Sequence, residues 1–259
     1  MKIVVATRGS PLALWQAREA ERLLRAARSD LEVAISIVAS TGDRDDRTDL
    51  ASFGRTGLFT AEIDRAVLQG EADLGVHSLK DMTTTLEAGL ALGGVLARGP
   101  AEDALLSRDG TKLASLPPGS RVATGSARRT AMLRRARPDL EVVAIRGNVD
   151  TRVAKLLRGD VDALVLARAG LERLGLGARI AFLLDPREFV PEAGQGAIAV
   201  QVRAGEEVLV AALDHAPSRA AVEAERECVR RLGGGCTAAV AAHAWHEGGE
   251  LRLQHWTAA

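Results

Sequence analysis

The sequence carries no excess of charge of either sign: its 259 residues hold 34 Lys plus Arg and 34 Asp plus Glu. A net charge of zero supplies no global field to draw the protein to nucleic acid or an anionic membrane, so any anion binding has to be local. Long apolar runs are missing too. The opening Met1-Lys2-Ile3-Val4-Val5-Ala6 is interrupted by Arg8 before it reaches the length of a secretory core, and nothing nears the roughly 20 apolar residues that span a bilayer. The chain reads as soluble, cytoplasmic and monomeric, with a small-molecule partner and neither a nucleic-acid nor a membrane partner. Cysteine is scarce. Cys228 and Cys236 are the only two, and a Val/Leu/Ala-rich chain of this size has no need of a disulfide staple, so both read as free thiols. Neither a G-x-x-x-x-G-K-S/T loop nor a G-x-G-x-x-G turn is present, which makes nucleotide phosphate a weaker ligand candidate than a polycarboxylate.

What is there suggests more than one domain, since a single core rarely grows past roughly 250 residues. Ile3 to Thr7 reads as a strand, Ser10 as a helix cap with Pro11 at the first helical position, and Leu12, Trp15 and Leu23 as one helical face. Alternation at Val33, Ile35 and Ile37 adds a second strand and completes a βαβ unit. This opening has an echo. Val122-Ala123-Thr124-Gly125-Ser126 leads into a helix through Met132 and Leu133, and Leu68-Gln69-Gly70-Glu71-Ala72-Asp73 is matched by Leu157-Arg158-Gly159-Asp160-Val161-Asp162. In both, a glycine ends a helix and an aspartate opens a strand. Two similar α/β lobes are expected, with ligands bound at the strand ends between them. The stretch Thr41 to Gly57, rich in Gly, Asp and Arg, is a candidate lid.

The loops at those strand ends collect Arg8 and Ser10, Lys80 and Asp81, Ser126 with Arg128 and Arg129, Arg146 with Arg152, and Arg173: many cations and a single acid. Guanidinium forks bind carboxylates bidentately, and helix N-termini after Gly9-Ser10, Gly125-Ser126 and Gly147-Asn148 add backbone donors. The same arginines could be solvated helix faces, the reading adopted for Arg134, Arg135 and Arg137. Asp81 could be no more than the partner of Lys80 in a strand-end ion pair; it is also the best single acid for proton transfer or cation stabilisation.

These residues amount to a resemblance. Ala6-Thr7-Arg8-Gly9-Ser10-Pro11-Leu12-Ala13-Leu14-Trp15-Gln16, His77-Ser78-Leu79-Lys80-Asp81, Arg128-Arg129, Arg146-Gly147-Asn148-Val149 with Thr151-Arg152, Ala169-Gly170-Leu171, Gly194-Gln195-Gly196 and Gly234-Gly235-Cys236 stand in the order typical of hydroxymethylbilane synthases (porphobilinogen deaminases). The chain resembles that family from Lys2 to about Cys236. The resemblance implies an α/β fold of two periplasmic-binding-protein-like lobes around a central cleft, residues 1–96 with 197–214 and residues 101–190, plus a small α+β C-terminal domain, 219–259, which looks truncated. It implies a transferase that condenses four porphobilinogen molecules, with loss of ammonia, into linear hydroxymethylbilane for heme biosynthesis. It also implies a dipyrromethane cofactor held by a thioether to Cys236. On this reading Asp81 is catalytic. Lys80, Ser10, Ser126, Arg128, Arg129 and Arg146 hold the cofactor, and Arg8, Arg146, Arg152 and Arg173 hold substrate. Cys228 is assigned to helix packing.

The sequence departs from the family pattern at Ser52 and Thr56, where lysines are usual, at Met82-Thr83, which lacks a proline, and at Thr237-Ala238-Ala239-Val240 after the cysteine. A helix from Ala220 to Leu232 and a hairpin, Ala238 to His246 and Glu250 to Trp256, cannot bury much core alone and must lean on the lobes or on a partner. No metal is expected, because Cys236, His243 and His246 fit no common zinc spacing. A bilobal polycarboxylate-binding protein that has lost polymerising activity is the alternative; a DNA-binding effector domain would need a helix-turn-helix that the sequence lacks.

Overall fold

The computed structural model describes residues 1–39, 60–233 and 239–258, so the candidate lid Thr41 to Gly57, with Ser52 and Thr56, lies outside the described residues, as does Cys236. The opening unit forms as its spacing predicts. Strand β1 (Lys2–Thr7), helix α1 (Pro11–Ala27) and strand β2 (Glu32–Ile37) make a βαβ unit with parallel strands. The Ser10 hydroxyl accepts the Ala13 N–H at 3.3 Å, and Pro11 occupies a position whose N–H would have no helical partner. The buried face of α1 is Gln16, Ala17, Ala20 and Leu24; of the expected apolar face, Leu23 packs against that core while Leu12 lines the cleft. Small Ala17 and Ala20 let the helix lie close on the sheet, whereas Trp15 stays 37% exposed with its ring 5.4 Å from the Arg173 guanidinium.

The chain continues through α2 (Ala61–Leu68), β3 (Leu74–Ser78) and β4 (Leu90–Val95). It crosses to β5 (Asp103–Ser107), β6 (Arg121–Thr124), α3 (Ala127–Ala136), β7 (Glu141–Ala144), α4 (Val149–Arg158), β8 (Ala163–Ala167), α5 (Arg168–Arg173) and β9 (Phe182–Leu183). It then returns as β10 (Ile198–Arg203). The first sheet has the order β2-β1-β3-β10-β4 and the second β7-β6-β8-β5-β9. In each, three parallel strands are followed by an antiparallel strand supplied by a crossing of the chain: β10 beside β3, and β5 beside β8.

The repeated Leu-x-Gly-x-x-Asp segment does the same work in both lobes. Gly70 and Gly159 take φ of +74° and +88°, which a glycine adopts without the penalty a side chain brings, and so close α2 and α4. The Asp73 carboxylate then accepts the Val4 N–H at 2.7 Å, and the Asp162 carboxylate accepts the Arg121 N–H at 2.7 Å. Each aspartate thereby pins the first strand of its lobe's βαβ unit, β1 or β6, against the strand it precedes, β3 or β8.

Helix α6 (Ala216–Arg231) begins earlier than the expected Ala220 because His215 caps it, its Nδ1 accepting the Ser218 N–H at 3.3 Å. Strands β11 (Val240–Glu247) and β12 (Glu250–Thr257) pair antiparallel across Gly248-Gly249, whose φ values of +61° and +83° suit a tight hairpin turn. The module leans on both lobes, as its size requires. Val222 packs with Leu79, Val95 and Ala199 of the first lobe, and Ala241 and Trp256 pack with Leu184, Phe189 and Val190 of the second. Buried Glu225 completes the join: it pairs with Arg98 at 2.7 Å and accepts the N–H groups of Gly194 at 2.7 Å and Ala244 at 2.6 Å. Among the described residues, no helix is long and apolar enough to cross a membrane.

Candidate active site

A cleft of about 220 Å³ opens between the lobes, at the ends of β1, β3 and β8 and the N-termini of α1 and α4. The first lobe contributes Arg8, Ser10, Gln16, Ser78, Lys80 and Asp81; the second contributes Arg129, Asn148, Asp150, Arg152 and Arg173. Seven of the predicted residues therefore share one cavity: Arg8, Ser10, Lys80, Asp81, Arg129, Arg152 and Arg173. Ser126, Arg128 and Arg146 are not among its lining residues. Ser126 instead caps α3 by accepting the Arg129 N–H at 3.4 Å. The expectation of a single acid is also modified, since Asp150, in the first turn of α4, joins Asp81 at the cleft.

Local structure explains the positions. Lys80 and Asp81 lie on one tight helical turn, Leu79–Asp81, directly after β3, and Leu79 beneath it is buried, so the two charged neighbours are turned toward the cleft. Burial pushes the Asp81 carboxyl above its ordinary value, against the attraction of Lys80. Asp81 has no hydrogen-bond partner among the described residues, so it is not the locked strand-end ion pair of the plainer reading. Lys80 is pushed down by burial and by neighbouring Arg129. Arg152 is lowered by burial and Arg129, and Arg173 by burial. Cations half-buried in this way gain more from an anionic ligand than exposed ones do.

Two arginines behave differently from the rest. Arg128 and Arg129 are nearly inaccessible and converge on Asp103, itself fully buried at the start of β5. Arg128 Nη1 donates to Asp103 at 2.8 Å and to the Val190 carbonyl at 2.9 Å, while Arg129 Nε donates to Asp103 at 3.0 Å. Desolvation opposes ionisation of Asp103, yet the two guanidiniums hold its carboxyl well below the ordinary carboxylate range. Arg128 still has Nε and Nη2 buried with no partner among the described residues.

Gln16, His77, Gln195 and Asp103 are site residues that sequence reasoning assigns no role. Gln16 donates to the Ser78 hydroxyl at 2.8 Å, and His77 shares a 3.0 Å hydrogen bond with Gln201. Burial lowers His77 to about 4, so the ring is neutral. Gln16, His77 and Gln195 all stand inside the motifs quoted above; Asp103 stands in none of them. Of the arginines read as solvated helix faces, Arg135 covers the Trp256 ring at 5.6 Å and Arg137 donates to the carbonyls of Leu113 and Leu116, so both are structural. Cys228 is partly buried on α6.

A nutrient-binding protein from Burkholderia cenocepacia, solved bound to methionine, shares the bilobal fold with a TM-score of 0.50 at 14% identity, covering 90% of this chain and 97% of that one. Residues 3–211 match the family model for porphobilinogen deaminase, dipyromethane cofactor binding domain. The porphobilinogen deaminase of Xanthomonas campestris pv. campestris is 49% identical over 254 residues, covering 96% of this chain and 83% of the relative. Those of Paraburkholderia phytofirmans and Bordetella bronchiseptica are 47% and 46% identical, covering 97% and 100% of this chain and 75% and 83% of theirs. The chain belongs to the porphobilinogen deaminase family.

Proposed function

We propose that the chain is a hydroxymethylbilane synthase: a transferase that joins four porphobilinogen molecules head to tail, releasing ammonia, to make linear hydroxymethylbilane for heme biosynthesis. The observation that carries this reading is the meeting, in one cleft, of a half-buried carboxyl, Asp81, that has no hydrogen-bond partner among the described residues, with cations from both lobes. Porphobilinogen bears acetate and propionate arms, and forked guanidiniums suit them.

The residues present fit a dipyrromethane group. Ser10, Lys80 and Arg129 line the cleft and offer carboxylates a hydroxyl, an ammonium and a guanidinium, and Arg128 behind them keeps two buried donors without a partner among the described residues. Cys236 would hold the group by a thioether, with Lys80, Ser10, Ser126, Arg128, Arg129 and Arg146 on its carboxylates. When bound, dipyrromethane supplies the free ring carbon at which the chain is extended.

Arg8, Arg146, Arg152 and Arg173 bind the arms of the incoming substrate and so orient its reacting carbon, which is where most of the rate is gained. Asp81 stabilises the positive charge that develops at the pyrrole nitrogen as ammonia leaves, and carries protons to and from the reacting ring. A carboxyl whose pKa is raised by burial is better suited to that exchange near neutral pH than an exposed one.

Residues 1–96 with 197–214, residues 101–190 and residues 219–259 are taken as the domains, a division that sheet membership supports. The enzyme is taken to act as a cytoplasmic monomer without nucleic-acid or membrane partners. Intact mass tests the reading. Purified protein should carry a thiol-linked tetracarboxylic dipyrrole that Cys236→Ala lacks; protein that stays unmodified after incubation with porphobilinogen would favour the polycarboxylate binder.

A further inference from the structure

The proposed chemistry gives no role to the Gly194-Gln195-Gly196 turn. It lies where the chain returns from the second lobe to the first, and Gln195 is fully buried. Its Oε1 accepts from Arg129 Nη2 at 3.1 Å and from Lys80 Nζ at 3.5 Å. Its Nε2 donates to the Ala101 carbonyl at 2.6 Å and to Asp103 Oδ1 at 2.8 Å. The four partners fix the sense of the amide, because reversing it would aim N–H groups at two cations and an oxygen at Asp103. The neighbours are equally constrained. A Cβ on Gly196 would lie 2.5 Å from the Gly99 carbonyl oxygen, and the Gly196 carbonyl accepts Arg173 Nη2 at 2.7 Å.

One amide oxygen thus holds a lysine from the first lobe and an arginine from the second. An amide orients cations without neutralising them. A carboxylate in its place would cancel part of their charge and face Asp103 with a like charge. We propose that Gln195 is an inter-lobe positioning residue, which sets the separation and direction of Lys80 and Arg129 for a carboxylate-bearing ligand and must be neutral to do so.

The proposal rests on the cleft being the synthase site, and the experiment separates the two. Wild type, Gln195→Glu, Gln195→Met, Lys80→Met and the Lys80→Met/Gln195→Met double variant are assayed as purified full chains. Gln195→Glu should lower kcat about tenfold per molecule that carries the dipyrrole, counted by intact mass, the size expected for a lost charge-assisted contact. Its KM for porphobilinogen should stay within about twofold, because Lys80 and Arg129 hold the primer and not the incoming substrate, and counting only dipyrrole-bearing molecules removes any loss of folded enzyme. The double variant should be no worse than the poorer single variant by more than about twofold, because both substitutions remove one interaction. Wild-type kcat per dipyrrole-bearing molecule in Gln195→Glu, or single effects that simply multiply, overturns the proposal. If Gln195→Met and Gln195→Glu fail to fold, because each deprives Asp103 and Ala101 of a donor, Gln195→Asn, which keeps the amide but retracts it by one methylene, carries the test with the same effect expected. If wild type acquires no dipyrrole, the synthase reading falls, and the positioning role is then read by calorimetry with citrate as the probe. There Gln195→Glu should bind about tenfold more weakly, and equal affinity overturns it.

Discussion

Replacing Asp103 by asparagine tests whether one carboxylate holds the arginine network together. Asp103 takes Arg128 Nη1 at 2.8 Å, Arg129 Nε at 3.0 Å and Gln195 Nε2 at 2.8 Å, all out of contact with water. An amide of the same shape keeps one acceptor, turns a donor toward a guanidinium and leaves two buried positive charges without their counter-charge. Removing one partner of a buried pair costs about 3–5 kcal/mol, because the charge left behind is uncompensated. For a chain of this length each kcal/mol moves Tm by roughly 2–4 °C, so Asp103→Asn should melt roughly 10 °C lower in differential scanning calorimetry. Removing all three charges together, in Asp103→Leu/Arg128→Met/Arg129→Met, should recover much of that loss, since apolar replacements of a buried ion cluster are often neutral. An unchanged Tm in Asp103→Asn would refute the reasoning, and so would a triple variant no more stable than the single one.

The same carboxyl has a pH signature. Its folded-state pKa lies below the ordinary 3.8. A depressed acid contributes stability that is fully present above its unfolded value and is lost as pH falls through the folded one. Wild type should therefore lose stability in acid below about pH 4 with a slope that Asp103→Asn lacks, as urea midpoints across that range will show.

Glu225→Gln strands Arg98, whose head is buried against it, and should cost about 3 kcal/mol; urea unfolding followed through Trp245 and Trp256 reads the loss where it occurs, and an unmoved midpoint counts against it. Gly196→Ala forces a Cβ to 2.5 Å from a backbone oxygen at φ +86°, whereas Gly110→Ala meets nothing within 4 Å at φ +81°. The first should abolish folding or cost several kcal/mol and the second only about 1–2 kcal/mol, so comparable thermal shifts would show that the crossover can relax. His77, lowered from 6.5 to about 4 by burial, stays neutral in the folded state while the unfolded chain takes up a proton. Stability should fall as pH drops from about 6.5 toward about 4, less so in His77→Gln, and a ring that titrates near 6.5 by NMR would remove the basis for this.

The lobes are legible in the sequence where a residue does a backbone job at a fixed place. Gly70 and Gly159 end helices and Asp73 and Asp162 clamp β1 and β6, so both identity and spacing are constrained and the repeat can be read directly. The placement of β10 is not legible in this way, because its partners β3 and β4 lie more than a hundred residues earlier and hydrophobic period carries no record of who pairs with whom. The buried face of α1 is harder to read, because Trp15 outweighs Ala17 and Ala20 on any apolar scale, while the sheet needs the close approach that alanines allow. The early start of α6 escapes for a related reason: histidine is seldom a cap, and His215 acts as one through its ring nitrogen.

The strand-end cations look alike in sequence, but their acceptors divide them into two kinds. Arg98, Arg128 and Arg129 pair with the buried carboxylates Glu225 and Asp103, and breaking those pairs is costly. Arg152 and Arg173 are instead aimed by carbonyl oxygens, those of Gly147 at 2.7 Å and Gly196 at 2.7 Å, and Lys80 by the amide oxygen of Gln195. A neutral acceptor fixes the direction of a cation and leaves its charge for whatever enters the cleft. Arg129 belongs to both kinds, since Asp103 and Gln195 each accept from it, and it is the point at which the buried network reaches the cleft. The charge of the cleft is therefore set less by how many arginines line it than by how few carboxylates orient them, and a chain of zero net charge can still present a strongly cationic site.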